Sequence, residues 1–139
     1  RPPASLREED IEIGAGEHRD TGAFTLLMQD DTGGLEVQRK DGEWIGAPPV
    51  KGAYVINIGN VMMKWTNGRF VSTMHRVVNR ALKPRYSIPF FANPDYDVTI
   101  APIAEIMKPG EKAEFEPFEN GPYMRDFYDK GMAYLRKGR

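Results

Sequence analysis

The chain contains no cysteine, which excludes disulfides, zinc ribbons and thiol nucleophiles together. No apolar run approaches the roughly 18 residues that a membrane-spanning helix requires. No basic start followed by an apolar stretch marks a secretory signal. Charge of either sign is not in excess: 19 basic residues face 20 acidic ones. No broad field therefore draws in nucleic acid or an anionic membrane. The default is a soluble, cytoplasmic domain, and 139 residues suit one domain with a real core. Histidine is scarce as well, with His18 and His75 the only two. An initiator methionine is also missing from "RPPASLREED".

What is present is a chain of short apolar runs separated by Gly, Pro and Asn. Strands are expected near Glu17–Gln29, Leu35–Arg39, Glu43–Ile45, Ala53–Ile58, Thr73–Asn79, Arg85–Ala92 and Val98–Pro102. Asp41-Gly42 in "QRKDGEWI" is a strong hairpin signal. "APPVKGAY" reads as a connector, and "VMMKWTNGRF" as a helical turn ending at Asn67-Gly68. Only the tail looks like a longer helix. Tyr123, Phe127 and Tyr134 fall near one face of it and Pro122 suits its first turn, although Gly131 weakens the pattern. Many short strands and one late helix imply an all-β sandwich or barrel of the jelly-roll kind.

The chemistry concentrates in "GEHRDTGAFTLLMQDD". On a strand, residues i and i+2 share a face, so His18 and Asp20 would project side by side. Such a pair at the mouth of an apolar strand is costly unless something compensates it. His75, in "VSTMHRVVNR", lies 55 residues after Asp20 and completes two histidines and one carboxylate. That donor set leaves three adjacent coordination positions open and is typical of non-haem Fe(II) oxygenases. If "STMHRVVN" and "RYSIPFF" form a hairpin turning near Arg80, Arg85 would lie across from His75. Ser87 would share its face. A guanidinium there calls for a carboxylate, to which the serine hydroxyl adds a hydrogen bond.

These segments resemble a known family. "HRD", "TLLMQDDTGGLEVQRKDGEWIGAPPVKGAYVINIGN", "KWTNGRFVSTMHRVVN" and "RYSIPFFANP" are similar to the C-terminal catalytic domain of the isopenicillin N synthase-like 2-oxoglutarate/Fe(II)-dependent dioxygenases. The resemblance covers roughly residues 14–102. It implies a double-stranded β-helix, an all-β jelly roll, here followed by a C-terminal helix. It implies His18, Asp20 and His75 as ligands of Fe(II), and Arg85 and Ser87 as anchors for the far carboxylate of 2-oxoglutarate. The implied reaction is oxidation, most simply hydroxylation, of a small organic substrate by O2, with release of succinate and CO2.

The family's upstream helical region and Asn-x-Tyr-type segment have no counterpart before His18. Residues 1–13 are therefore expected to be an approach segment at the cut edge of a larger protein, with 103–139 an extension that carries the helix. Prime-substrate walls are expected near Gly22, Phe24 and the strand ends.

Other readings stand beside this one. Arg85 could pair with a structural carboxylate such as Asp95. Arg76 should face away from the site. Asn57, Thr66 and Asn67 read as scaffold, while Trp44, Trp65 and Phe70 read as core or pocket wall. The tail helix reads as a packing or dimer element. An oxidase using another acid at Arg-x-Ser, a non-catalytic jelly-roll binding module, and a zinc hydrolase with the same ligands are the rival functions.

Overall fold

The computed structural model describes the backbone of residues 12–137 and the side chains of residues 13–131. Most of the expected approach segment and the Tyr134 side chain lie outside the described residues. Within them, nine strands and two α-helices follow in the order β1 (Glu12–His18), β2 (Phe24–Gln29), β3 (Leu35–Gln38), β4 (Trp44–Gly46), β5 (Val55–Ile58), α1 (Asn60–Trp65), β6 (His75–Asn79), β7 (Ser87–Ala92), β8 (Thr99–Ile100), β9 (Phe118–Glu119) and α2 (Asn120–Lys137). One sheet has the order β1-β6-β3-β4, a second β5-β2-β7, and β8 pairs with β9 alone. Every pairing is antiparallel. The chain alternates between the two larger sheets as it proceeds, which makes a jelly roll with a C-terminal helix.

The apolar run "FTLLM" becomes β2 because both of its faces meet apolar surroundings. Thr25 and Leu27 look into a cavity of about 230 Å³ between the sheets, opposite Leu35, Val37 and Val77. Leu26 and Met28 alternate to the other face, beside Ile56, Ile88 and Phe90, which are exposed. Pro89 interrupts no ladder because β7 is an edge strand. Asp41-Gly42 turns the β3–β4 hairpin, with Gly42 at φ 91°.

The main packed cluster among the described residues is not in the space between the sheets, although Leu35 is buried there. It lies at one end, where Ala23, Val61 and Ile100 are buried against Phe24, Trp65, Val98, Phe118 and Tyr123. Phe24 thus packs, partly buried, against that core. Trp65 is core as expected, but Phe70 is exposed, and Trp44 is covered on one face by the Arg76 guanidinium 4.1 Å away. Beyond α1, Glu111 clasps Arg69 and Asn67. The Arg69 hydrogen bonds foremost, with the Lys108 N–H and Asn67, hold its carboxyl down to about 2.

Two local expectations are corrected. The predicted strand Glu17–Gln29 is two strands joined by a loop, so His18 ends β1 while Asp20 sits in the turn. Nor do β6 and β7 form a hairpin. Both edges of β6 are taken by β1 and β3, so the chain leaves it for the other sheet. Asn79 Oδ1 accepts from the Ala81 N–H to start that departure, and a double contact between Asp30 and Tyr86 ends it: the Asp30 N–H donates to the Tyr86 carbonyl and its carboxylate accepts the Tyr86 N–H.

The turn bearing Asp20 is gripped by the start of α1. The Gly59, Asn60 and Val61 N–H groups donate to the carbonyls of Ala23, Asp20 and Gly22 at 2.8, 2.8 and 3.0 Å. Donors that a helix N-terminus leaves free are thereby satisfied by the loop. The approach is so close that a Cβ on Gly59 would lie 2.1 Å from the Gly22 carbonyl oxygen. Gly59→Ala is expected to destabilise the fold by about 1–3 kcal/mol through overpacking and to weaken metal binding. Gly46→Ala, whose Cβ meets nothing within 4 Å, should do neither. Chemical denaturation and metal titration of both variants check this.

Candidate metal centre

β1 and β6 run side by side in a register that sets His18 directly opposite His75. Their rings lie 4.1 Å apart, centroid to centroid. The chain then turns at residues 19–23 and brings Asp20 back beneath them. Asp20 Oδ1 is 3.7 Å from His18 Nε2 and 3.7 Å from His75 Nε2. The three donor atoms lie within 4.8 Å of one another. Asp20 and His75 are buried, and His18 is exposed at the rim.

Hydrogen bonds behind the donors fix which atoms face inward. His18 Nδ1 is 2.7 Å from the Gly16 carbonyl oxygen and His75 Nδ1 is 3.1 Å from that of Thr73. A carbonyl only accepts, so each Nδ1 is a donor and Nε2 is the ring atom left facing Asp20. Asp20 Oδ2 accepts from Thr25 Oγ1 at 2.5 Å and from Asn57 Nδ2 at 2.6 Å. These bonds pin the carboxylate and leave Oδ1 aimed at the two imidazole nitrogens. Three ligand atoms thus converge, an arrangement that a divalent cation satisfies. Two imidazoles and one carboxylate suit Fe(II) and leave room for further ligands.

From this triad the cavity between the sheets runs back to Ser87. Arg85 precedes β7 and is not opposite His75. It reaches Ser87 by another route, held from the side of β2. Its Nε donates to the Gly33 carbonyl at 2.6 Å, Nη1 to Ser87 Oγ at 2.9 Å and Nη2 to Gln29 Oε1 at 3.2 Å. All three partners are neutral. Among the described residues no carboxylate forms an ion pair with Arg85, Asp95 included, and burial pushes its guanidinium below the usual arginine range. The serine hydroxyl, an acceptor toward Arg85, still has its own proton to donate. Arg76 points away from the site to Glu36 and Glu17, as expected.

Sequence reasoning places Asn57 in the scaffold and passes over Thr25. Both face the cavity and hold Asp20. Each is the lone polar residue within an apolar strand, "FTLLM" and "VINI", and an inward polar group of that kind needs a partner. Thr66 and Asn67 do support turns: the Thr66 hydroxyl bonds the Met62 carbonyl, and Asn67 bonds Glu111 and Glu114.

Residues 2–94 match the model of the 2OG-Fe(II) oxygenase superfamily. A bi-functional coumaroyl CoA and feruloyl CoA ortho-hydroxylase of Ipomoea batatas is 42% identical over 122 residues, 87% of this chain and 34% of that protein. The crystal structure of the dioxygenase for auxin oxidation in rice superposes with a TM-score of 0.78 at 33% identity, covering 86% of this chain and 42% of that one. A full-length Neurospora crassa protein crystallised in complex with alpha-KG gives a TM-score of 0.75 at 36% identity, covering 81% of this chain and 36% of that one. The chain belongs to the 2OG-Fe(II) oxygenase superfamily, whose members use Fe(II) and 2-oxoglutarate. It spans about a third of the length of the curated relatives it matches.

Groups that orient a metal ligand typically change affinity about 10- to 100-fold when removed. Asn57→Ala and Thr25→Ala are each expected to weaken Mn(II) or Fe(II) binding by about that factor. Titration followed by electron paramagnetic resonance of Mn(II) checks it.

Proposed function

We propose that this chain is the catalytic domain of an Fe(II)/2-oxoglutarate-dependent dioxygenase that hydroxylates a small organic substrate. The observation that carries the reading is the convergence of His18 Nε2, Asp20 Oδ1 and His75 Nε2 at the mouth of a cavity that leads to Ser87. In this reading His18, Asp20 and His75 bind Fe(II). Arg85 and Ser87 bind the far carboxylate of 2-oxoglutarate, and residues 14–102 form the core that holds both. Bound there, Fe(II) supplies O2 activation coupled to decarboxylation of 2-oxoglutarate to succinate and CO2, with the second oxygen atom passing to a substrate C–H carbon.

The protein's own work is positioning. Gly16 and Thr73 carbonyls hold the two imidazoles in the ligating tautomer, while Thr25 and Asn57 turn the carboxylate. Leu27, Leu35, Val37, Val55 and Val77 line the cavity and make it apolar, which strengthens the charge pairing of a bound dicarboxylate with Arg85. Three neutral contacts orient that guanidinium, and Asp30 attracts it without forming an ion pair, so its hydrogen-bonding charge is available to an incoming carboxylate. Nearly balanced charge supports a small-molecule substrate in place of nucleic acid. Among the described residues, no helix is long and apolar enough to cross a membrane.

The test is anaerobic addition of Fe(II) and then 2-oxoglutarate to the purified chain. A weak visible charge-transfer band is expected in the wild type and should vanish in His75→Ala. Arg85→Ala should keep iron but require about 10- to 100-fold more 2-oxoglutarate, the loss of a charge-assisted contact. A chain that binds iron without producing a band overturns the cosubstrate assignment.

A further inference from the structure

A second cavity, of about 210 Å³, opens on the other side of the triad and shares His18, Asp20 and Phe91 with the first. The proposed metal site therefore stands in the wall between two compartments. The second one is roofed by α2, which contributes Met124, Phe127 and Tyr128. Phe91 lines it from β7. Phe127 and Tyr128 meet edge to face with centroids 5.5 Å apart. Aromatic side chains from two elements lining a small space favour a flat guest. A volume below the ~300–1,000 Å³ of drug-sized pockets limits that guest to one or two rings.

The charge in this compartment is one-sided. Among the described residues Asp20 is its only lining carboxylate, and in the metal-loaded site that charge is spent on the ion. Arg19 is its only lining cation apart from the imidazole. Held between two ligand positions, Arg19 makes no hydrogen bond or ion pair with any described residue, while Arg76, Arg80 and Lys83 on the neighbouring elements are all paired. Asn93 adds a neutral donor and acceptor beside Gly22, where a Cβ would strike its side chain at 2.1 Å. A guanidinium free at the rim of an aromatic-walled space is a recognition element for a carboxylate.

We propose that the prime substrate is a flat, ring-bearing carboxylate, its ring between Phe91 and α2 and its carboxylate on Arg19. This assignment rests on the iron and 2-oxoglutarate reading given above. Arg19 is then a specificity residue, distinct from Arg85, and the two guanidinium groups bind two different acids on opposite sides of the metal. The "HRD" segment places two ligands and, between them, the group that selects the substrate.

The experiment compares 2-naphthoate with 2-naphthamide, the same shape without the charge. Each is titrated calorimetrically into the full chain loaded anaerobically with Fe(II) and saturating 2-oxoglutarate, so that Arg85 is already occupied. Naphthoate should bind at least about 10-fold more tightly than the amide, the usual worth of a charged hydrogen bond. Arg19→Gln should abolish that preference by weakening naphthoate alone, and Phe127→Ala should weaken both probes alike. Equal binding of the two probes, a preference that survives in Arg19→Gln, or no binding of either would each overturn the proposal. The visible band is recorded in the same samples. If it is present, such a failure sinks only the substrate class; if it is absent, the underlying reading fails first.

Discussion

Two imidazole nitrogens and a carboxylate oxygen, all presenting electron pairs to one point, repel each other unless a cation stands between them. The local architecture around the triad is arranged to keep that unfavourable grouping in place. Backbone carbonyls take the outer proton of each histidine, and Thr25 and Asn57 take the outer oxygen of Asp20. None of the donors can turn away without giving up a hydrogen bond, and for the buried Asp20 an unmade bond is expensive. The hydrogen bonds that hold the three donors together make the site ready for a cation.

Holding the donors requires elements from both sheets and from the helix between them. The β1–β6 register supplies the two histidines as a cross-strand pair, and the start of α1 clamps the loop that returns Asp20. The packed core of Ala23, Val61 and Ile100 lies directly behind that clamp. The packed cluster thus lies at the metal end, while a cavity occupies the space between the sheets. Helix α2 extends the same logic. It anchors through Tyr123 on Phe118, and its next turn forms the roof of the second compartment.

Much of this was legible in the sequence, and the failures have physical causes. The convergence of His-x-Asp with the distal histidine was readable because the chain has only two histidines, whereas Arg85 reaches Ser87 by a route the residue pattern did not show. The jelly roll followed from short apolar runs with turn residues between them. The route to Asp20 was misjudged because strand periodicity cannot show where a strand breaks, and the break at residues 19–23 depends on a grip from α1, distant in sequence. The β6–β7 hairpin was a sound local inference from a short connector, defeated because β6 had already given both edges to β1 and β3. Asn57 was underestimated because its partner, Asp20, lies 37 residues away. A polar residue amid an apolar strand signals that a partner exists but does not name it.

The central claim is that these three donors form one metal site whose geometry the protein sets in advance. Direct measurement of metal stoichiometry and affinity on the purified chain, before any cosubstrate is added, tests it most simply. One divalent ion is expected to bind per chain and to raise the thermal unfolding temperature, with both effects lost when Asp20 is replaced by Ala. Binding with a stoichiometry near zero, or an ion retained undiminished in Asp20→Ala, would contradict it.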